Sequence, residues 1–264
     1  MTSAYQYSAH LGYLFSELPF KERFAAARAH GFAAMEHPSP YATPAEDVRR
    51  WLADCGLTYT QFGLHSGDAS RGEKGIGIFP ERRAEFKASV ADGLAYAETV
   101  GVRMIHAMAG VLPAGRREPA HWDCYVENLA YAAREADKRG ITILVEAMSE
   151  GAVPDYFVAT PERGAQAIAA TGAANLGLLL DIFHTVAMGL DIEATIAAQA
   201  ALIRHVHIAD FPGRHEPGTG TLDFEAIGEW LAKAGYRGLL GCEYVPAGRT
   251  DAGMGWLARR LKAA

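Results

Sequence analysis

Short apolar runs rich in Val, Ile, Leu, Phe and Tyr alternate eight times with longer amphipathic stretches rich in Ala, Glu and Arg. Each pair reads as one strand followed by one helix. The pattern places strands near 5–11, 32–36, 58–64, 103–109, 141–147, 176–182, 203–209 and 239–244. Helices fill the gaps near 20–30, 44–55, 80–100, 118–138, 160–171, 191–201, 223–234 and 251–261. Runs such as ITILVEAM and LGLLLDIF are nearly all apolar, as expected when helices cover one side of a parallel sheet and barrel filling covers the other. Eight such units in series predict an α/β chain folded as a (β/α)8 TIM barrel, with an open doubly wound sheet as the weaker alternative.

The boundaries have local causes. Thr43-Pro44 and Thr160-Pro161 put a capping residue before a proline suited to the first helical position. Gly31, Gly56, Gly101, Gly140 and Gly235 follow helical segments where a left-handed residue is wanted. No low-complexity segment, linker or charge block divides the chain, and half of it is hydrophobic, so residues 1–264 are expected to form one domain with a large core. The longest irregular pieces, 65–79, 110–117, 148–159 and 210–222, all follow strands, where a barrel of this kind builds its catalytic face.

Several function classes are disfavoured. The net charge is −6 and no Lys/Arg cluster exceeds a pair, so a nucleic-acid partner is not expected. The three cysteines are scattered without metal-type spacing, which fits reduced thiols. MTSAYQYSAH lacks a basic stretch followed by an apolar one, and no run approaches the roughly 18 apolar residues of a membrane span, so no membrane partner and a soluble, cytoplasmic protein are expected.

The chemistry concentrates at strand ends. Strand five ends with Glu146, strand six with Asp181, strand seven with His207, and strand eight with Glu243. Three buried carboxylates left uncompensated would cost several kcal/mol each, so a cation is expected among them. Arg214 and Lys74 can neutralise part of this charge, but a divalent metal does so more fully. Three oxygen donors and one imidazole suit Mn2+ first and Mg2+ second, with Co2+ or Zn2+ also compatible.

His205 and His207 share a face of their strand, and only the one nearer the rim can reach such an ion; His205 is read as a deeper barrel-layer group. Arg214 either grips a substrate oxygen or carboxylate, or braces its loop on Asp210 or Glu216. His184 reaches substrate or packs at a helix start. His65 and His106 end strands three and four, each divided between substrate contact and ordinary burial, and Glu36 is read as a partner for a histidine. Phe15, Tyr41, Trp122, Tyr125 and Tyr244 are read as packing more than pocket wall.

The run HIADFPGRHEPGTG, with AHLGYLFSELPFKERFAAARAHGF near the start, AGVLPAGRREPAHWDCYVENLAYAA in the middle and GCEYVPAGRTDAGMGWL near the end, strongly resembles hydroxypyruvate isomerase. That family lies among the xylose-isomerase-like barrels, with ketose 3-epimerases and endonuclease IV, and the resemblance spans essentially the whole chain. It implies a metal site on Glu146, Asp181, His207 and Glu243, with the two glutamates as the proton-transfer pair. His184 and Arg214 match substrate-contact positions. The implied reaction converts hydroxypyruvate to tartronate semialdehyde through a cis-enediolate. His207 stands where that family carries glutamine and ketose 3-epimerases carry histidine, and Ser149 stands where both groups more often carry asparagine. A ketose 3-epimerase is therefore the near alternative, a three-zinc nuclease of the endonuclease IV type the distant one, and a non-catalytic binding barrel the last. The partner expected is a small hydroxy-oxo acid or a ketose; association into a homo-oligomer stays open.

Overall fold

Eight strands run parallel around a closed ring, β1 (Tyr7–His10), β2 (Ala34–His37), β3 (Thr58–Gly63), β4 (Met104–His106), β5 (Thr142–Glu146), β6 (Leu176–Asp181), β7 (Ile203–Ile208) and β8 (Leu240–Cys242). Each pairs with the next, and β8 closes on β1 through Tyr7↔Leu240, Ser8↔Gly241 and Ala9↔Cys242. This computed structural model describes residues 5–263. The helices between the strands are α1 (Phe20–Ala29), α2 (Ala45–Cys55), α3 (Arg83–Val100), α4 (Pro119–Asp137), α5 (Pro161–Thr171), α6 (Ile182–Ala187), α7 (Ile192–Gln199), α8 (Phe224–Lys233), α9 (Thr250–Gly253) and α10 (Gly255–Ala263). No helix among the described residues is long and apolar enough to cross a membrane.

The main core lies between helices and strands, where Phe24, Phe32, Phe62, Phe86, Leu129 and Leu257 are buried. Inside the ring the filling is polar instead. Ser8 and Thr60 share a 2.8 Å hydrogen bond, and above them Gln61, Glu36, His205 and His207 form a connected buried set. Such groups are tolerated away from water only because they satisfy one another.

Local structure follows the sequence closely, with instructive departures. Gly31, Gly56, Gly101, Gly140 and Gly235 all take positive φ at helix ends. Thr160 caps α5 by accepting from the Arg163 N–H, whereas Thr43 caps nothing: α2 begins from Pro44 without a side-chain cap. The expected strands 103–109 and 239–244 contract to three residues each, because their last residues leave the ladder to build the upper loops; Ala109 bridges to Gly75 instead. The short α6 was not expected. It starts at once after β6 because the Asp181 carboxylate accepts the His184 N–H and caps it.

The 210–222 segment is organised by one buried carboxylate. Asp210 accepts four backbone N–H groups, from Phe211, Gly218, Gly220 and Leu222, at 2.8–3.1 Å. A Cβ on Gly220 would lie 2.6 Å from Asp210 Oδ1, so only glycine allows the chain this close. The folded loop holds Arg214 in the left-handed region, at φ 55°. Asp210→Ala strands these donors and is expected to destabilise the protein by about 3 kcal/mol, read as a lowered midpoint in urea unfolding.

Candidate metal and acid–base site

At the C-terminal rim, Glu146, Asp181, His207 and Glu243 each present one donor atom, all within 4.8 Å of one another. Register brings them together: Asp181 pairs with His207 across β6 and β7, and Glu243 sits one residue past β8, beside β7. Glu146, Asp181 and His207 are buried. His207 Nδ1 lies 3.4 Å from Glu243 Oε2 and 3.9 Å from Glu146 Oε1, and both that nitrogen and Glu146 Oε1 lack a hydrogen-bond partner. Two orphaned donors among converging carboxylates fit a divalent cation, and these four residues can hold one.

Without an ion, protein cations carry the compensation. Arg214 Nη2 bonds Glu243 Oε2 and reaches Asp181 Oδ2 at 3.3 Å. The loop-brace expectation for Arg214 is corrected here, since Asp210 is consumed by backbone donors and Glu216 by the Ala247 N–H. Lys74 is exposed.

The two glutamates are driven apart. Burial, and next the charge of Glu243, push the Glu146 carboxyl well above the usual range. Burial would raise Glu243 as well, but Arg214 and His207 hold it well below. His207 is buried, yet the Glu36 and Glu243 carboxylates raise it well above an ordinary histidine.

The remaining expected residues separate into two groups. His106 Nδ1 is 3.6 Å from Glu146 Oε2, and burial drives its pKa down to about 4, so it faces the site neutral. His184 Nε2 is 3.8 Å from Asp181 Oδ2. Its Nδ1 accepts the Ser149 N–H at 3.2 Å, which leaves the ring proton on Nε2, toward the site. His65 is not brought in: it is exposed and stacks on Tyr41 at 3.8 Å, near Glu85 on α3. Phe15, Tyr125 and Tyr244 are buried packing, and Trp122 carries the Arg163 guanidinium at 3.6 Å.

Three contributors escaped the sequence reading. His10 Nε2 lies 3.3 Å from Glu243 Oε1 and is kept neutral by burial. The rings of Tyr13 and Phe183 lie 5.7 and 5.2 Å from the Arg214 guanidinium. The Glu243 charge, with burial, pushes the Tyr13 hydroxyl up to about 12. The strand-end rule that found the acidic residues would also have found His10, the last residue of β1; Tyr13 and Phe183 carry no such mark.

In class terms this is a (β/α)8 barrel whose C-terminal rim carries three carboxylates and a histidine able to hold a metal ion. Comparison with known proteins narrows that. The xylose isomerase-like TIM barrel family matches residues 24–260, and the chain belongs to it. It is 37% identical over 252 residues to the 2-oxo-tetronate isomerase of Cupriavidus necator, covering 96% of this chain and 97% of the relative. It is 34% identical to the hydroxypyruvate isomerase of Escherichia coli, covering 96% and 98%. A solved structure described as an AP endonuclease, family 2, from Brucella melitensis superimposes with a TM-score of 0.94 at 34% identity, covering 97% of this chain and 98% of that one.

The surroundings of Glu146 and His207 both favour the protonated form, and a cation needs them unprotonated. Metal uptake at neutral pH is therefore expected to release protons, and apparent affinity to rise with pH. Calorimetric titration of Mn2+ in buffers of different ionisation enthalpy measures this; a buffer-independent heat would contradict it.

Proposed function

We propose that this protein is a metal-dependent isomerase that interconverts hydroxypyruvate and tartronate semialdehyde, or a closely related hydroxy-oxo acid such as 2-oxo-tetronate. The observation that carries the reading is the pairing of Glu146 and Glu243 about one cation site, with Arg214 reaching the same point. Relatives named as isomerases of these two compounds, at 34–37% identity over nearly full length, support it.

In this reading one glutamate removes a proton from C3 of hydroxypyruvate, leaving a cis-enediolate, and a proton is returned to C2 while the hydroxyl proton passes from O3 to O2. Hydrogen and charge balance without a redox partner. A divalent ion, Mn2+ by first preference and Mg2+ by second, supplies the positive charge that acidifies the carbon-bound proton. Its ligands are Glu146, Asp181, His207 and Glu243. His184 would offer its Nε2 proton to a substrate oxygen, His106 stands beside Glu146, and Arg214, which reaches the same point, would bind the substrate carboxylate. His65, exposed on Tyr41, reaches only a substrate extending beyond the rim. The whole chain, residues 1–264, acts as one domain in the cytoplasm on a small molecule.

His207 favours a second reading, a ketose 3-epimerase, which needs the same ion and carboxylates and differs in returning the proton to the opposite face of the same carbon. A nuclease is supported less: the net charge is −6, and His65 lies outside the four-donor cluster.

The deciding experiment incubates metal-stripped protein, with Mg2+ restored, with hydroxypyruvate or 2-oxo-tetronate in D2O and follows the carbon-bound protons by NMR. Metal-dependent isomerisation is expected, and Glu243→Gln is expected to lower kcat by about 10²–10⁴-fold. Turnover of neutral ketoses alone would transfer the assignment to the epimerase. His207→Gln is expected to weaken Co2+ and Mn2+ binding more than Mg2+ binding, since an oxygen replaces an imidazole donor; competition titration reads the ratio.

A further inference from the structure

We propose that Glu36, which lies below the rim and outside the four-donor cluster, is the positioning residue that makes His207 a metal ligand. This rests on the metal-dependent reading above. Glu36 sits on β2 with no solvent exposure, and its Oε2 receives three groups at 2.9 Å: Gln61 Nε2, His205 Nε2 and His207 Nε2. Three groups converging on one carboxylate oxygen make each of them a donor, since that oxygen has only lone pairs to offer. His207 therefore carries a proton on Nε2, and its other nitrogen is the one turned toward Glu146 and Glu243. A histidine anchored through one ring nitrogen by a carboxylate presents the other as a stronger and better-aimed ligand.

The rest of the barrel interior holds this arrangement in one orientation. His205 packs edge-on against His207 with ring centroids 5.0 Å apart and planes at 82°, and His10 does so from the other side at 5.9 Å and 87°. Gly241 on β8 leaves the space. A Cβ there would lie 2.6 Å from His207 Cδ2 and 2.8 Å from His205 Nε2, and would also collide with Glu36 Oε1. These contacts hem in the ring of His207 with Nδ1 toward the cluster, and Glu36 sets its tautomer by accepting the proton on Nε2.

Two measurements on the full-length protein test this. In the first, Mn2+ is titrated into wild-type protein and Glu36→Gln. Glutamine keeps the volume and an acceptor oxygen but removes the negative charge, so the His207 Nε2 proton is held more weakly and the nitrogen facing the cluster loses basicity. The variant is expected to bind Mn2+ about 10–100-fold more weakly. Binding within twofold of wild type overturns the positioning role and leaves the isomerase reading standing. Absence of Mn2+ binding in the wild type overturns both. A stoichiometry of two ions per chain, with the second lost in the variant, makes Glu36 a ligand itself and also overturns the proposal.

The second measurement needs no variant, and so decides the matter if Glu36→Gln fails to fold. Long-range 1H–15N correlation on Zn2+-loaded wild-type protein reports the tautomer of His207. Nδ1 bound to the ion, with an Nε2 proton shifted downfield and slow to exchange because Glu36 accepts it, is the expected signature; an Nε2 proton without that shift, as a merely space-filling Glu36 would leave it, overturns the proposal. The reverse assignment overturns the proposal.

Discussion

Carboxylates gathered within 4.8 Å at the closed end of a barrel repel one another and lose hydration, and much of this structure answers that cost. Compensation arrives from two directions. From below, the interior histidines reach up through β7. From above, the 210–222 loop folds over the mouth and sets Arg214 on Asp181 and Glu243. The loop can do so because Asp210 gathers four backbone N–H groups and because glycine occupies position 220. Asp210, outside the four-donor cluster, thereby helps set the charge balance of the site through the loop that carries Arg214.

The polar barrel filling has a related logic. A ring packed with aliphatic side chains would be more easily stabilised, yet it could not orient an imidazole at the rim. Here Ser8, Thr60, Gln61, Glu36 and His205 form successive buried layers, each hydrogen-bonded to a neighbour across the barrel, while Glu36 Oε1, Gln61 Oε1 and His205 Nδ1 stay without a partner. Glu36 stays ionised despite burial because the two imidazoles beside it hold its pKa well below the usual range. Neutral His10 and His106 complete the wall without adding to the charge.

The barrel was legible in the chain because strand and helix periods are local properties, and glycines such as Gly56 and Gly101 mark helix ends wherever they occur. The four rim donors were legible for a similar reason: an acidic residue or a histidine ending an apolar run is conspicuous. His65 shows the limit of that rule. It follows β3 by two residues, far enough for the chain to turn outward, and Tyr41 offers a stacking partner there. Tyr13 and Phe183 were missed because aromatics near a barrel rim have many packing uses, and only their distance to Arg214 distinguishes them. The short α6 was missed because its cap is Asp181, which the sequence presents as a strand end.

By itself, then, the sequence determined the order of strands and helices, the residues at each strand end, and the excess of acid over base. Those depend on neighbours a few positions apart. Only the tertiary structure decided that Glu36 on β2, Gln61 on β3 and the histidines of β7 share one hydrogen-bonded centre, that Arg214 reaches Asp181 and not Asp210, and that Gly241 is the space in which the centre fits. The hydrogen bonds among them join residues up to 171 positions apart, and closure of the ring is what makes them neighbours.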